Sequence, residues 1–265
     1  MARLNKVTPA ADSRTAGAPL PDVVTVPKSL WRVHKTSYGP LNPPPRAGRP
    51  NKTWGRFDLR GWATLYGAVN PVGAFMESLA YAELVPLPLA DLFDDQDPEP
   101  VEQQWERLGH MPTRSVPRQW RDVRTISSFR RVGAGRVVDI ASSNSLAYLR
   151  ATAEQWAPRG LRDEPLSIDV ATLTGPRRTA TTQAAWWLSR TVLADGSLPA
   201  GIVYPSRHGT DLQCYALWVD LDRHGPDVTV AEAVATEYEV LSHDPLELTD
   251  PALRTARRRL GIHLH

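Results

Sequence analysis

The sequence is poor in cysteine, in long apolar runs and in net charge, and each shortage excludes a class of protein. Cys214 is the single cysteine among 265 residues, which rules out a disulfide framework, a paired-cysteine zinc site and a dithiol redox centre. No apolar run approaches the roughly 20 residues that a membrane helix needs, and the N-terminus has no apolar signal segment. The net charge of +2 does not favour direct binding of nucleic acid. These features predict a soluble, cytoplasmic protein without membrane association.

The sequence also lacks the common catalytic motifs. It contains no Gly-x-Ser-x-Gly nucleophile turn, no Gly-x-x-x-x-Gly-Lys-[Ser/Thr] phosphate loop, no His-Glu-x-x-His zinc motif and no Gly-x-Gly-x-x-Gly after a strand. The seven histidines show no metal-ligand spacing. These absences exclude the common serine hydrolases, nucleotide-phosphate enzymes and zinc enzymes, and we expect no metal.

The composition is that of one large domain with extensions. Apolar residues make up 42% of the chain and charged residues 23%, which supports a substantial core. Residues 1–28 are predicted to be a flexible basic tail, because residues 1–60 carry 11 Lys or Arg against 3 Asp or Glu. A solvated tail is favoured over contact with nucleic acid or an acidic partner. A catalytic domain is expected over residues 29–222, and residues 223–265 are expected to pack on it or beside it.

The hydrophobic pattern predicts both strands and helices along the chain. Alternating residues predict strands at 30–34 and 63–68, and apolar runs predict strands at 136–140, 201–206 and 212–219.

Two helices are predicted between these strands. Asn70 can cap the first helix and Pro71 fits its first turn. Glu77 lies off the apolar stripe of this helix and beside Gly73, which leaves space for a ligand. The second helix is predicted over residues 181–194.

Five polar residues among apolar and aromatic neighbours remain as site candidates: Arg32, Arg56, Tyr66, Glu77 and Ser206. The segments that carry them resemble, in chain order, the RES family, which is named for Arg, Glu and Ser positions that its members share. The matching segments are Leu30-Trp31-Arg32-Val33-His34, Gly55-Arg56-Phe57-Asp58, Thr64-Leu65-Tyr66-Gly67-Ala68, Ala74-Phe75-Met76-Glu77 and Gly201-Ile202-Val203-Tyr204-Pro205-Ser206-Arg207. The resemblance covers about residues 29–90 and 180–220. The long distance from Glu77 to Ser206 predicts an insertion over about residues 91–165.

The resemblance implies a fold, an activity and a partner. The RES fold is similar to that of ADP-ribosyltransferases, an α+β arrangement with a mixed sheet and a cleft for NAD. Studied members are toxins of toxin–antitoxin pairs that degrade NAD. The antitoxin is typically a helix-turn-helix protein of the Xre type that blocks the cleft. NAD would therefore be a consumed substrate and not a cofactor, and a homo-oligomer is compatible with the nine tryptophans.

The resemblance also implies a role for each candidate. Glu77 would orient the ribose hydroxyls and stabilise an oxocarbenium-like transition state. Arg32 would bind the diphosphate, because a guanidinium donates paired charge-assisted hydrogen bonds. Ser206 would donate to the nicotinamide amide or a ribose hydroxyl. Tyr66 would stack on nicotinamide, and Arg56 would brace Glu77 or contact phosphate.

Three functions therefore stay open from the sequence. The first is a toxin that cleaves NAD at the nicotinamide–ribose bond, as a glycohydrolase or a phosphorylase, and so depletes cellular NAD. The second is an ADP-ribosyltransferase that modifies a protein target. The third is a non-catalytic RES-like binding protein, although the joint presence of the candidate residues disfavours it.

Overall fold

A computed structural model describes residues 19–51, 53–83 and 114–265. The first 18 residues of the predicted tail and an acidic segment at 91–106 lie outside these ranges. The described chain forms a large mixed sheet with helices on both faces, which confirms the predicted mixed α/β class.

Ten strands occur in the described chain. They are β1 (Val23–Thr25), β2 (Leu30–Lys35), β3 (Trp62–Ala68), β4 (Ser115–Val116), β5 (Arg124–Arg131), β6 (Arg136–Asp139), β7 (Gly201–Ser206), β8 (Gly209–Asp220), β9 (Tyr238–Pro245) and β10 (His263–Leu264). Eight of them form one sheet in the order β1-β6-β7-β8-β3-β2-β5-β9, and β4 pairs with β10. In the large sheet β6 and β7 run parallel, and the other neighbours run antiparallel.

Nine α-helices surround the sheet within the same ranges. They are α1 (Pro71–Leu79), α2 (Arg118–Asp122), α3 (Ser143–Ala151), α4 (Ala153–Trp156), α5 (Arg159–Asp163), α6 (Val170–Thr174), α7 (Arg178–Leu188), α8 (Val230–Glu237) and α9 (Pro251–Leu260). Short 3-10 turns lie at Thr36–Tyr38, Ala80–Glu83, Pro165–Ser167 and Leu221–Arg223. Among the described residues no helix has the length and apolar character that a bilayer-spanning helix needs.

The sheet includes parts of the chain that the sequence places outside the core. Val23–Thr25 falls in the predicted tail but pairs with β6 as an edge strand. Two strands, β5 and β6, fall inside the predicted insertion, yet each lies between two other strands of the sheet. Strand β9, in the predicted C-terminal extension, pairs with β5. Backbone pairing holds these strands in place. The apolar run at 136–140 predicts β6 as a strand, but it does not show which strands β6 pairs with. The outer bounds of the insertion stay a prediction.

The packing of α1 determines where Glu77 lies. Phe75, Met76 and Leu79 of α1 are buried in a cluster that includes Leu253 of α9. On the neighbouring side, Ala74 belongs to the large core that α3 to α7 form over one face of the sheet. The helix is thereby fixed on two sides, and this orients Glu77 towards the end of β7.

Candidate functional site

The start of α1 is built as the sequence predicts. The Asn70 side chain accepts a hydrogen bond from the Gly73 amide at 2.8 Å, and Pro71 occupies the first turn. This cap satisfies an amide that the first helical turn would otherwise leave unpaired. The apolar residues Phe75 and Met76 then anchor the helix, so that its backbone supports Glu77 rigidly.

Both carboxylate oxygens of Glu77 are held by other candidate residues. The Ser206 hydroxyl donates to Oε1 at 2.6 Å, and Nη2 of Arg56 donates to Oε2 at 3.3 Å. The Glu77 side chain remains 29% exposed. A carboxylate that is fixed by charge-assisted hydrogen bonds and still open to solvent is a suitable group for stabilising a cation on a ligand. We refer to Glu77, Arg56 and Ser206 as the Glu77 site.

Arg56 is almost fully enclosed. Its Nη1 donates to the Thr174 carbonyl oxygen, at the end of α6, over 2.7 Å. Its guanidinium lies over the Tyr204 ring, 5.0 Å from the ring centroid. The residue is only 7% exposed. The structure thus shows the contact of Arg56 with Glu77, which is one of the two roles that the sequence left open.

Ser206 is positioned by an irregularity at the end of β7. The register of β7 against β8 shifts between Pro205 and Ser206, which then faces Gly209. The buried Ser206 hydroxyl donates to Glu77 and accepts from the His208 amide at 3.1 Å. This hydroxyl is therefore engaged in holding Glu77.

Tyr66 joins the Glu77 site through the loop of residues 54–58. Its hydroxyl accepts from the Phe57 amide and donates to Oδ1 of Asp58, both at 2.9 Å. Burial, followed by the Asp58 charge, raises the pKa of Tyr66, so the phenol stays neutral. The hydroxyl holds the loop that carries Arg56, and only the half-buried ring can face a ligand.

Gly55 provides a direct test of this arrangement. A Cβ atom on Gly55 would lie 2.3 Å from the Tyr66 hydroxyl oxygen. We expect Gly55→Ala to displace Tyr66 or the loop, and to lower the free energy of unfolding by about 1–3 kcal/mol through overpacking. Chemical denaturation measures this loss. Gly160→Ala is the matched control, because a Cβ there meets nothing within 4 Å. A Gly55→Ala protein as stable as the control would contradict the packing of Gly55 against Tyr66.

Arg32 lies on the other face of the sheet from α1. Trp31 and Val33 of β2 contact the clusters that contain α1 and the large core, whereas Leu30 belongs to the cluster on the opposite face. Since side chains alternate along a strand, Arg32 shares the face of Leu30.

The Arg32 side chain is partly buried and has one enclosed nitrogen atom that is unpaired in the described part of the chain. Its Nη1 atom is enclosed and has no hydrogen-bond partner among the described residues. Burial lowers the pKa of Arg32 to about 10. The structure thus brings together Glu77, Arg56 and Ser206, connects Tyr66 to them through the loop, and leaves Arg32 without direct contact to Glu77.

The neighbour of Arg32 on this face predicts a pH effect on stability. His34 contacts Ser127 and Thr125 through Nε2, at 3.0 and 3.1 Å, and its ring stacks on that of His243. Burial, with smaller contributions from Arg32 and His243, lowers the pKa of His34 from 6.5 to about 4. As the pH falls below 6.5, His34 therefore takes up a proton in the unfolded chain while it stays neutral in the folded chain.

We expect the free energy of unfolding to fall by about 2 kcal/mol between pH 6.5 and pH 5 as a result. The contribution of neutral His34 to the free energy of unfolding is fully present above pH 6.5 and disappears towards pH 4. Denaturation curves of the wild type and of His34→Gln measure it, with His263→Gln as the control at an exposed histidine. An identical pH slope for wild type and His34→Gln would refute this effect.

Sequence reasoning missed several groups around the Glu77 site. Asp58 and Tyr204 stand inside the matched segments but were not singled out. Thr174 contributes a backbone carbonyl, for which no residue type gives a signal. Burial, and then the nearby Glu77 carboxylate, raise the pKa of the Cys214 thiol, so this buried cysteine stays protonated.

A cavity of about 430 Å³ lies away from Glu77, where Trp62 begins β3 and Trp218 lies near the end of β8. Each of its arginines pairs with a carboxylate: Arg131 with Glu237, Arg136 with Asp195 and Arg223 with Asp220. Its positive charges are already compensated, so the contacts around Glu77 are the better candidate site. Within the described ranges no group of three His, Cys, Asp or Glu side chains converges as a metal site requires.

The fold and these contacts define a mixed α/β protein in which one carboxylate, held at both oxygens, lies beside the end of an internal strand. The RES domain family matches residues 29–241, and this chain belongs to that family. The resemblance noted from the short motifs is thereby confirmed, and the match also spans the predicted insertion.

Comparisons beyond the family give less detail. No curated protein matches this sequence significantly. Among solved structures, the chain is similar to one from the crystal structure of the M. tuberculosis MbcT-MbcA toxin–antitoxin complex, with 10% sequence identity and a TM-score of 0.38. The alignment covers 89% of this chain and 92% of that chain.

Proposed function

We propose that this RES-domain protein cleaves NAD at the bond between nicotinamide and ribose, as a glycohydrolase or a phosphorylase. The observation that carries the proposal is the Glu77 carboxylate, which Arg56 and Ser206 hold at both oxygens and which remains partly exposed. NAD is the substrate that the RES resemblance implies, and it is consumed in the reaction.

The chemistry requires one well-placed carboxylate. As the bond from nicotinamide N1 to ribose C1′ breaks, the electron pair goes to the pyridinium, which leaves as neutral nicotinamide. No general acid is needed, in contrast to a glycosidase with an alkoxide leaving group. The ribose gains oxocarbenium character, and the negative Glu77 stabilises it electrostatically. Water, phosphate or another nucleophile then forms the new bond at C1′, and water loses a proton in doing so.

Arg56 and Ser206 act on this chemistry through Glu77. The Arg56 guanidinium and the Ser206 hydroxyl each donate to one carboxylate oxygen and together fix its orientation. They are positioning residues in this proposal, because both donate hydrogen bonds to Glu77. The ring of Tyr66 remains our candidate for stacking on nicotinamide.

In the cell, this activity would make the protein the toxin of a toxin–antitoxin pair, with a helix-turn-helix antitoxin of the Xre type as its partner. Induced expression in bacteria tests this role: growth should stop as the NAD pool falls with the wild type but not with Glu77→Gln. Co-expression of a helix-turn-helix protein that is encoded next to this one should restore growth. Continued growth with an unchanged NAD pool would contradict the proposal.

Labelled NAD separates the two alternatives from the proposal. If the adenylate label accumulates on a protein, the enzyme is an ADP-ribosyltransferase. If NAD binds but stays intact, the protein is a non-catalytic binding protein. The proposal requires that the label leave as a free ADP-ribosyl product.

A further inference from the structure

Two further arginines lie around the Glu77 site. Arg178 is the first residue of α7, and its Nε donates to the Trp54 carbonyl oxygen at 3.0 Å. Trp54 belongs to the same loop as Arg56. Arg207 directly follows Ser206 and is exposed. The two side chains therefore start from backbone that is adjacent to the two residues that hold Glu77.

The electrostatic environment of Arg178 includes both Arg56 and Arg207. Burial lowers the pKa of Arg178, and the charges of Arg56 and then Arg207 lower it further, against the opposing effects of Tyr66 and Asp58. Neither Arg178 nor Arg207 forms an ion pair with a carboxylate in the described part of the chain. Within the described residues, these two arginines therefore add positive charge near Glu77 that no ion pair neutralises.

The start of α7 adds to this positive potential. The helix has 11 residues, and its N-cap residue Arg177 provides no side-chain cap. The unpaired amides and the helix dipole of such an N-terminus favour anions. By contrast, the arginines of the 430 Å³ cavity are all neutralised by carboxylates. An anionic ligand is better accommodated beside Glu77 than in that cavity.

We propose that Arg178 and Arg207 bind the diphosphate of the substrate and thereby set the preference for a dinucleotide over a nucleoside. The inference rests on the proposed function, because it assigns the anionic part of the same substrate. Arg56 is occupied by Glu77 and Thr174, and Arg32 lies on the opposite face of the sheet. Arg178 and Arg207 start from backbone next to Arg56 and Ser206, and they are therefore our candidates to bind a diphosphate whose ribose lies against Glu77.

The kinetic test compares two substrates that share the scissile bond. NAD carries the diphosphate, whereas nicotinamide riboside carries no phosphate. We expect Arg178→Gln plus Arg207→Gln to raise KM for NAD by about 10-fold or more, since each charge-assisted hydrogen bond to an anion is worth close to a factor of 10. KM for nicotinamide riboside, and kcat for both substrates, should change by less than about 3-fold.

Matched variants show that this effect is specific to these arginines. Arg190→Gln removes an arginine that stacks on Trp186 after the end of α7, and it should leave both KM values unchanged. Arg178→Lys retains the charge and should recover part of the affinity for NAD. Arg32→Gln is the rival variant: if it alone raises KM for NAD selectively, the diphosphate binds at Arg32 and the inference is wrong.

Binding of ADP-ribose, measured by calorimetry, separates this inference from the proposed cleavage. If the wild type binds ADP-ribose and the double variant binds it at least about 10-fold more weakly, the inference stands even if NAD is not cleaved. If the wild type does not bind ADP-ribose, or if the double variant binds it equally well, the inference is overturned. If the double variant cleaves NAD with unchanged kinetic constants, the inference is overturned but the proposed function still stands.

Discussion

Glu77→Gln should reduce the rate of nicotinamide release by about 100- to 1,000-fold, the usual loss when a preorganised electrostatic group is removed from a site. The amide has the size of the carboxylate but no negative charge to oppose the cation that develops on the ribose. Its oxygen can still accept from Ser206, so the fold should persist. Nicotinamide release by the purified variant measures the loss, and the melting temperature verifies folding.

The control for this prediction is Glu154→Gln. Glu154 lies on α4 with a side chain that is 75% exposed, far above the exposure of Glu77. We expect wild-type rates from this variant. If Glu77→Gln retained more than about a tenth of the wild-type rate, a group other than Glu77 would stabilise the transition state.

Asp58→Ala should lower the free energy of unfolding by about 3–5 kcal/mol, the usual effect of removing one partner of a buried ion pair. Asp58 is only 2% exposed, and it pairs with Arg46. It also accepts from the Gly55 amide at 2.8 Å and from the Tyr66 hydroxyl at 2.9 Å. Its removal leaves a guanidinium, an amide and a phenol without their acceptor.

Two further variants show whether this loss comes from the buried contacts. Asp163→Ala breaks an exposed pair with Arg159 at 3.8 Å, and it should cost less than about 0.5 kcal/mol. Asp58→Asn keeps one acceptor oxygen, and its loss of stability should lie between those of Asp58→Ala and Asp163→Ala. Urea denaturation compares all three, and an Asp58→Ala protein as stable as Asp163→Ala would show that Asp58 does not organise the loop.

The local structure of the site was predictable because short-range rules control it. The cap of α1 by Asn70, with Pro71 in the first turn, follows from residue type alone. Strands β3, β7 and β8 follow from the apolar pattern. The RES motifs then indicate that Glu77, Arg56 and Ser206 belong to one site, although Glu77 and Ser206 are separated by 129 residues.

The contacts within the site were not predictable, because they depend on pairings between distant parts of the chain. The sequence directs Ser206 at a substrate, whereas the structure directs its hydroxyl at Glu77. For Arg56 the sequence left contact with Glu77 and contact with phosphate both open. The alternation of side chains along β2 places Arg32 on the face of the sheet opposite α1. This alternation shows which face a residue occupies only once the strands that pair with β2 are known. The predicted helix at 181–194 is found at Arg178–Leu188. That earlier start makes Arg178 the first residue of α7.

The most direct test of the account is to incubate the purified wild-type protein with NAD, in phosphate-free buffer and in buffer with inorganic phosphate, and to quantify nicotinamide and the ADP-ribosyl product by mass spectrometry. The account predicts equal amounts of nicotinamide and free ADP-ribosyl product. Free ADP-ribose would identify a glycohydrolase, and a phosphorylated product would identify a phosphorylase. Intact NAD in both buffers, from protein that is folded and free of any antitoxin, would contradict the assignment of Glu77 to NAD cleavage.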